Sequence, residues 1–207
     1  MIKPKMSNIT QKGVNLGGRL GMLMPFTSDY SVKLSASEIA RRTKIPQQST
    51  SRYLNKFVND SLLEYKKEGR NKLFYLDLKK ETSRIMLNLI ETEKALGFQM
   101  INKEVSVIIN DLLKYCEGII IFGSYASGNF NEDSDLDIVI FEDTSKGKIK
   151  KIKRKSGLDI VEHYVSYKEF EEILLSNNPL AIEILNNHVL FGNLSKIVNI
   201  FLKKVKR

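Results

Sequence analysis

The chain has 207 residues, of which 42% are hydrophobic and 28% are charged, the composition of a globular protein with one large core or two small ones. Residues 1–11 contain no apolar run of signal-peptide length, and no stretch approaches the roughly 18 apolar residues of a membrane-spanning helix. The single cysteine, Cys116, can form no internal disulfide. We therefore expect a cytoplasmic protein that makes no membrane contact.

The net charge of +9 is divided unevenly along the chain. Residues 1–80 hold 16 Lys and Arg against 6 Asp and Glu, whereas residues 81–207 hold 17 against 18. This asymmetry predicts two modules, the first of which binds a polyanion. We place the first module at residues 1–80, a helical linker at 81–100 and the second module at 101–207.

Two helices are predicted near the N-terminus. Residues 16–26 are a weak candidate, because three glycines interrupt the segment and Pro25 is expected to stop it. Ser35 and Glu38 form a capping box, in which each side chain bonds to the backbone amide of the other. A helix over residues 36–43 should follow this box.

A second helix is predicted over residues 46–61, because proline suits the first turn of a helix. Two alternating runs within residues 62–76 then flank a turn at residues 68–71, which indicates a β-hairpin with a basic tip. This order of elements over residues 16–78 resembles a winged helix-turn-helix domain. The resemblance implies that the second helix is the recognition helix and that residues 66–72 form the wing.

Such a module would bind duplex DNA. The polar side chains of the recognition helix that can contact base edges are Gln47, Gln48, Ser49 and Arg52. The basic side chains that can contact phosphates are Arg41, Arg42, Lys44, Lys66, Lys67, Arg70 and Lys72. The alternative left open is a basic module with a purely structural role.

Residues 81–117 have helical periodicity, with a break expected near Gly97. One apolar stripe contains Ile85, Leu89, Ile90 and Leu96, and a second contains Ile101, Val105, Ile108, Leu112 and Tyr115. We expect both stripes to pack between the two modules.

The next segment combines a buried strand, predicted over residues 119–122, with the sequence Gly123-Ser124 directly after it. A Gly-Ser step between a strand and a helix exposes backbone amides and a hydroxyl to which phosphate oxygens can bind. Gly128 follows, but the Lys-Ser/Thr pair of a P-loop is absent, which excludes an ATPase of that class.

Two carboxylates, Asp135 and Asp137, precede a strand predicted over residues 138–141. Side chains two residues apart in a strand lie on one face, and two like charges so close are unfavourable unless a cation neutralises them. Mg²⁺ suits this arrangement, because it binds through one or two carboxylates plus substrate phosphates. Asp159 begins a later strand and would complete a cluster able to hold two metal ions and accept a proton.

The spacing of Gly123-Ser124, Gly128, Asp135 and Asp137, with an Asp in a later strand, strongly resembles the DNA polymerase β-like nucleotidyltransferase superfamily. The resemblance covers about residues 101–201 and is closest to its minimal prokaryotic branch, whose members often act as antitoxins beside helical HEPN-domain toxins. It implies an α+β protein in which a winged helix-turn-helix domain precedes a polymerase β-like domain, a mixed sheet flanked by helices.

The resemblance also assigns roles to individual residues. Gly123 and Ser124 would bind the triphosphate, and Asp135, Asp137 and Asp159 would be catalytic and hold two Mg²⁺ ions. The substrate would be a nucleoside triphosphate, with ATP expected, and the reaction would transfer its monophosphate to a hydroxyl. A protein, an RNA end or a small molecule could supply that hydroxyl.

The leading hypothesis is thus a nucleotidyltransferase coupled to a DNA-binding module. Two other functions stay open. One is a non-enzymatic transcriptional regulator whose second domain senses nucleotide or binds a partner, and the other is a protein that neutralises a HEPN-type toxin by binding alone. A homodimer is considered as well, although no dimer seam is evident from the sequence.

Two remaining features have ordinary explanations. Seven of the ten residues in the segment 146–155 are basic, and the first interpretation is a solvated, mobile loop. The alternative for this segment is a cationic rim that binds the triphosphate or a polyanionic acceptor. His163 and His188 match no metal motif and are expected to be packing or surface histidines.

Overall fold

The structure, a computed structural model, describes residues 19–142, 146–176 and 178–205, with no side-chain description for Lys146. Its fold is α+β, as predicted. The first described element is a 3₁₀ helix, Leu20–Thr27, which continues two residues beyond Pro25 instead of stopping there. The rest of the first predicted helix, residues 16–18, lies outside the described ranges.

The predicted pair of helices and the hairpin follow in the expected order. They are β1 (Leu34–Ser35), α1 (Ala36–Thr43), α2 (Gln47–Asn59), β2 (Glu64–Glu68) and β3 (Asn71–Tyr75). The capping box is confirmed, because the Glu38 amide donates to Ser35 Oγ and the Ser35 amide donates to Glu38 Oε2, both at 3.2 Å. The three strands form an antiparallel sheet in the order β1-β3-β2.

The long helix α3 (Glu81–Ile101) runs unbroken through Gly97, so the break predicted there was wrong. The buried side chains on either side of Gly97, Ala95 and Phe98, hold the helix against the core and outweigh the cost of about 1 kcal/mol for a helical glycine. The break comes instead at Asn102, whose φ of −107° and ψ of 67° are not helical. Helix α4 (Lys103–Leu112) follows it.

The first apolar stripe of α3 is only partly buried. Ile90 is fully buried, but Ile85, Leu89 and Leu96 keep 43–52% of their surface exposed, so the prediction that they pack between the modules was wrong. The helix is apolar on two faces, and a periodic pattern does not say which face meets the core. In α4 the second stripe is buried at Val105, Ile108 and Leu112, but it packs against the large sheet and not against the N-terminal elements, so its predicted place between the modules was wrong as well.

A mixed four-stranded sheet organises the C-terminal part, as predicted. Its elements are β4 (Gly118–Ile121), α5 (Gly123–Ser127), β5 (Leu136–Phe141), α6 (Lys146–Ser156), β6 (Ile160–Val165), α7 (Tyr167–Leu175), α8 (Pro179–Asn186), β7 (Val189–Gly192) and α9 (Leu194–Val205). The strand order is β6-β5-β4-β7, in which β5 and β6 are parallel and the other pairs antiparallel.

The Lys-rich segment forms the helix α6, so its interpretation as a mobile loop was wrong. Ile149 is buried and Ile152 is half-buried, and their spacing of three residues places both on one side of the helix. Lys153 adds an ion pair of 2.6 Å with Glu162 on β6. This helix makes the crossover that a parallel pair of strands requires.

One hydrophobic core joins the N-terminal elements to one face of the large sheet. The ring of Tyr30 lies 5.9 Å from that of Phe201 on α9, and its hydroxyl donates to Glu91 of α3 at 2.9 Å. Glu91 also meets the buried His188, whose Nε2 lies 3.0 Å away. His188 is therefore a packing histidine, as predicted. Helix α3 contacts both parts of the molecule along this core.

The opposite face of the sheet is covered by a second core built mainly from α4, α6 and the sheet itself. Within the described ranges, no helix is both long enough and apolar enough to cross a membrane.

Candidate active site

The turn after β4 brings the backbone of Gly123 against a carboxylate. Gly123 has a φ of 66°, and a Cβ atom at this position would lie only 2.3 Å from Oδ2 of Asp137. The amide of Phe122 also donates to the Asp137 carbonyl at 3.1 Å, which ties the turn to β5. Glycine suits this position, because any side chain would be strained by the positive φ and would have to displace the Asp137 carboxylate; the Gly-Ser turn and Asp137 therefore belong to one site.

The sheet fixes the face on which Asp137 lies, and Asp135 comes directly before the strand. Leu136 and Ile138 are buried in the core below β5, so the alternating residues face the other side of the sheet. Asp137 is half-buried at the mouth of the strand, whereas Asp135 is exposed.

The electrostatics of the site favour a cation. Burial raises the pKa of Asp137, and the neighbouring negative charges of Glu183 and Asp135 raise it further, while His163 opposes them. Each of these carboxylates offers the hard oxygen ligands that Mg²⁺ prefers, and Mg²⁺ usually binds one or two carboxylates together with substrate phosphates. Asp135 and Asp137 therefore fit a magnesium ion that is shared with a substrate.

Asp159 lies at the same edge of the sheet. Its carbonyl accepts a hydrogen bond of 2.8 Å from the Leu136 amide, and Leu136 pairs with Ile160 in the parallel register. The register therefore sets Asp159 beside Asp135. Across residues 19–142, 146–176 and 178–205, however, no three His, Cys, Asp or Glu side chains are grouped so that they could hold a metal ion. The cluster of three carboxylates stays a prediction.

Sequence reasoning missed two side chains that act on Asp137. Glu183 is exposed on α8 and raises the pKa of Asp137, whereas His163 on β6 lowers it. The His163 ring centroid lies 5.8 Å from that of Phe122, the residue just before Gly123. Strand alternation from Asp159 could have placed His163 on the site face. Nothing local to Glu183 indicates its position, because the packing of α8 decides it.

The residues predicted to contact DNA form an exposed polar surface. Those with exposed side chains are Arg41, Arg42, Lys44, Gln47, Gln48, Arg52, Lys66, Lys67, Arg70 and Lys72, and only Ser49 is half-buried. Lys72 on β3 donates to Asn55 Oδ1 on α2 at 3.1 Å, so the hairpin and the second helix adjoin. Two of these basic side chains form ion pairs. Nη2 of Arg42 lies 3.9 Å from Oε1 of Glu38, and Nζ of Lys66 lies 3.4 Å from Oε1 of Glu68.

Comparison with known proteins agrees with the geometry of the C-terminal part. Residues 103–204 match the family described as "Nucleotidyltransferase domain", and this range contains the Gly123 turn, Asp135 and Asp137. No curated protein and no solved structure matches the chain. The family match supports the polymerase β-like nucleotidyltransferase superfamily and, at a general level, the transfer of nucleotides. The match therefore supports a nucleotidyltransferase domain in the C-terminal part of the chain.

Proposed function

We propose that this protein transfers a nucleoside monophosphate from a magnesium-bound nucleoside triphosphate, with ATP as the first candidate, to an acceptor hydroxyl. The observation that carries the proposal is the contact between the Gly123 backbone and the Asp137 carboxylate. It joins a phosphate-binding turn and a metal-binding carboxylate in one site, so both could act on the same triphosphate.

Each residue of the site has a distinct role in this proposal. Gly123 and Ser124 would hold the triphosphate, and Asp135 and Asp137 would hold the magnesium, with Asp159 as a further ligand if a second ion binds. A bound divalent cation would neutralise negative charge on the α-phosphoryl oxygens and on the departing pyrophosphate.

The transfer itself needs one bond formed and one broken. The acceptor oxygen bonds to the α-phosphorus, the bond from that phosphorus to the bridging oxygen breaks, and pyrophosphate leaves with the electron pair. The proton of the acceptor hydroxyl goes to Asp159, whose exposed position at the edge of the sheet leaves room for an acceptor.

A labelling assay tests the proposal. The purified protein is incubated with each α-³²P-labelled triphosphate and Mg²⁺, alone and with lysate of its host. We expect label on a macromolecule or small product, and its loss in Asp135→Ala. The labelled species would identify the acceptor class. Metal-dependent triphosphate binding without label would instead support the nucleotide-sensing regulator, and absence of both would support a protein that acts by binding a partner such as a HEPN-type toxin.

We also propose that the N-terminal module binds duplex DNA as a winged helix. Its support is the continuous exposed surface of α2 and the hairpin, on which basic residues greatly outnumber acidic ones. Phosphate contacts make affinity fall steeply with salt. We expect fluorescence anisotropy to detect binding at about 50 mM salt and a steep loss near 200 mM. Lack of binding at the lower concentration would contradict the proposal.

A further inference from the structure

Helix α3 carries an exposed apolar stripe that the described part of the chain does not cover. Ile85, Leu89, Leu96 and Met100 keep 43–55% of their surface exposed. The remaining exposed residue between them, Thr92, donates its hydroxyl to the Asn88 carbonyl at 2.7 Å and so turns its polar group back to its own helix. From Ile85 to Met100 no exposed residue is charged, in a protein in which 28% of residues are charged.

The stripe is straight and symmetric in its spacing. At 100° per residue, its members stay within about 80° of one another around the helix over four turns. Ile85 and Met100 are equally far from the midpoint between Thr92 and Glu93, and so are Leu89 and Leu96. An identical helix running in the opposite direction across this midpoint would therefore bring Leu89 opposite Leu96 of the partner subunit, and Ile85 opposite Met100 of the partner subunit.

We infer that α3 is the interface of a homodimer in which the two copies of this helix pack antiparallel about a twofold axis near Thr92. Such an interface is isologous, which requires a self-complementary surface, and the symmetric spacing provides one. The uncharged stripe also lets two chains of net charge +9 approach without like charges in the contact.

The area of the stripe sets the strength of the dimer. The exposed parts of its four large side chains amount to on the order of 400 Å² per copy, the size of a typical functional surface patch. A standard stable interface buries about 800 Å² per partner. The dimer should therefore dissociate on dilution.

Sedimentation velocity of the full chain over rising concentration tests this interface. The wild type should pass from the mass of one chain to that of two. Leu89→Glu/Leu96→Glu should remain monomeric at every concentration, because it places four carboxylates in the contact. Ile182→Glu is the matched control, since Ile182 is 48% exposed on α8, and this variant should dimerise like the wild type. A wild type that is monomeric throughout, or a dimer that survives the Leu89→Glu/Leu96→Glu change, overturns the inference.

A charge swap tests the direction of the helices. In Leu89→Glu/Leu96→Lys, antiparallel packing sets each new carboxylate opposite a new ammonium, whereas parallel packing sets like charges together. We expect this variant to regain the dimer that Leu89→Glu/Leu96→Glu loses, and to lose it again in 1 M salt, which screens the pairs. A monomeric charge-swap variant with wild-type circular dichroism would exclude the antiparallel arrangement.

Discussion

Gly123 shows how a single residue decides the geometry of the candidate site. Two properties disfavour other residues there, the positive φ and the approach of the Asp137 carboxylate. A turn that follows a buried strand was predictable from the sequence, and so was the place of Asp137 in the next strand; the common face of Asp135 and Asp137 stays a prediction, because Asp135 precedes β5. The contributions of His163 and Glu183 were not predictable, because they depend on how distant elements pack.

Gly123→Ala should therefore damage the site beyond the cost of its backbone conformation. The new Cβ would strike the Asp137 carboxylate, so we expect nucleotide transfer to fall at least tenfold. Gly69→Ala is the matched control, because Gly69 has a φ of 57° but nothing within 4 Å of an added Cβ. Gly69→Ala should lose only about 1–2 kcal/mol of unfolding free energy. Equal transfer rates in the two variants would contradict the assigned contact.

A second prediction concerns the buried carboxylate of Glu91. Burial opposes its ionisation, but Lys94, His188 and the hydrogen bonds from His188 and Tyr30 outweigh burial and lower the pKa of Glu91. A lowered pKa means that the ionised carboxylate stabilises the fold above its unfolded pKa, about 4.5, and that this contribution is lost as pH falls through the lower folded pKa.

Glu91→Gln should thus lose about 3 kcal/mol of unfolding free energy at pH 7, because it leaves the other buried groups without their charged partner. Urea unfolding of both proteins from pH 7 to pH 3 measures the difference. We expect the difference in unfolding free energy between wild type and variant to become smaller below about pH 4.5. A difference that is independent of pH would show that Glu91 is not ionised in the folded protein.

At the scale of elements, helices α3 and α6 show what a sequence pattern leaves undecided. Periodicity identified α3 but not its buried face, because apolar residues occur on two sides of it. In α6 the helical pattern could not be recognised in the sequence, because Ile149 and Ile152 are the only apolar side chains among its basic residues. The structure explains α6 by the burial of Ile149 and by the Lys153–Glu162 pair.

Ile149→Ala should accordingly destabilise the protein, although it lies among lysines. Truncating a buried isoleucine to alanine lowers the unfolding free energy by about 2–5 kcal/mol. The same change in a mobile loop would leave the unfolding free energy almost unchanged. Lys150→Ala, at an exposed neighbouring position, is the control and should be close to neutral. Thermal denaturation followed by circular dichroism measures both, and equal melting temperatures would contradict the packing of α6.

At the scale of the whole molecule, the most informative feature is the core shared by the two parts of the chain. The sequence predicted a basic hairpin, and the family resemblance implied a mixed sheet. The sequence did not predict that the N-terminal elements would bury their apolar side chains against α9 and β7 through α3. Hydrophobic patterns show which residues are buried, but they do not identify the partner of each surface.

The shared core predicts that both parts unfold together. Phe201→Ala removes a buried ring that contacts Tyr30 and Phe170, and it should cost about 3–5 kcal/mol. Hydrogen exchange should then accelerate in α1 and α2 as well as in the large sheet, although Phe201 lies in α9. Acceleration confined to residues 103–205 would indicate that the two parts fold independently.

The most direct test of the account is whether the Asp137 carboxylate is required for nucleotidyl transfer. Wild type, Asp137→Asn and Asp133→Asn are compared with α- and γ-labelled triphosphate in Mg²⁺, where Asp133 serves as an exposed neighbour outside the site. We predict that wild type and Asp133→Asn transfer the α-label but not the γ-label, and that Asp137→Asn transfers neither. Transfer of the α-label by Asp137→Asn at the wild-type rate would contradict the assignment of this site.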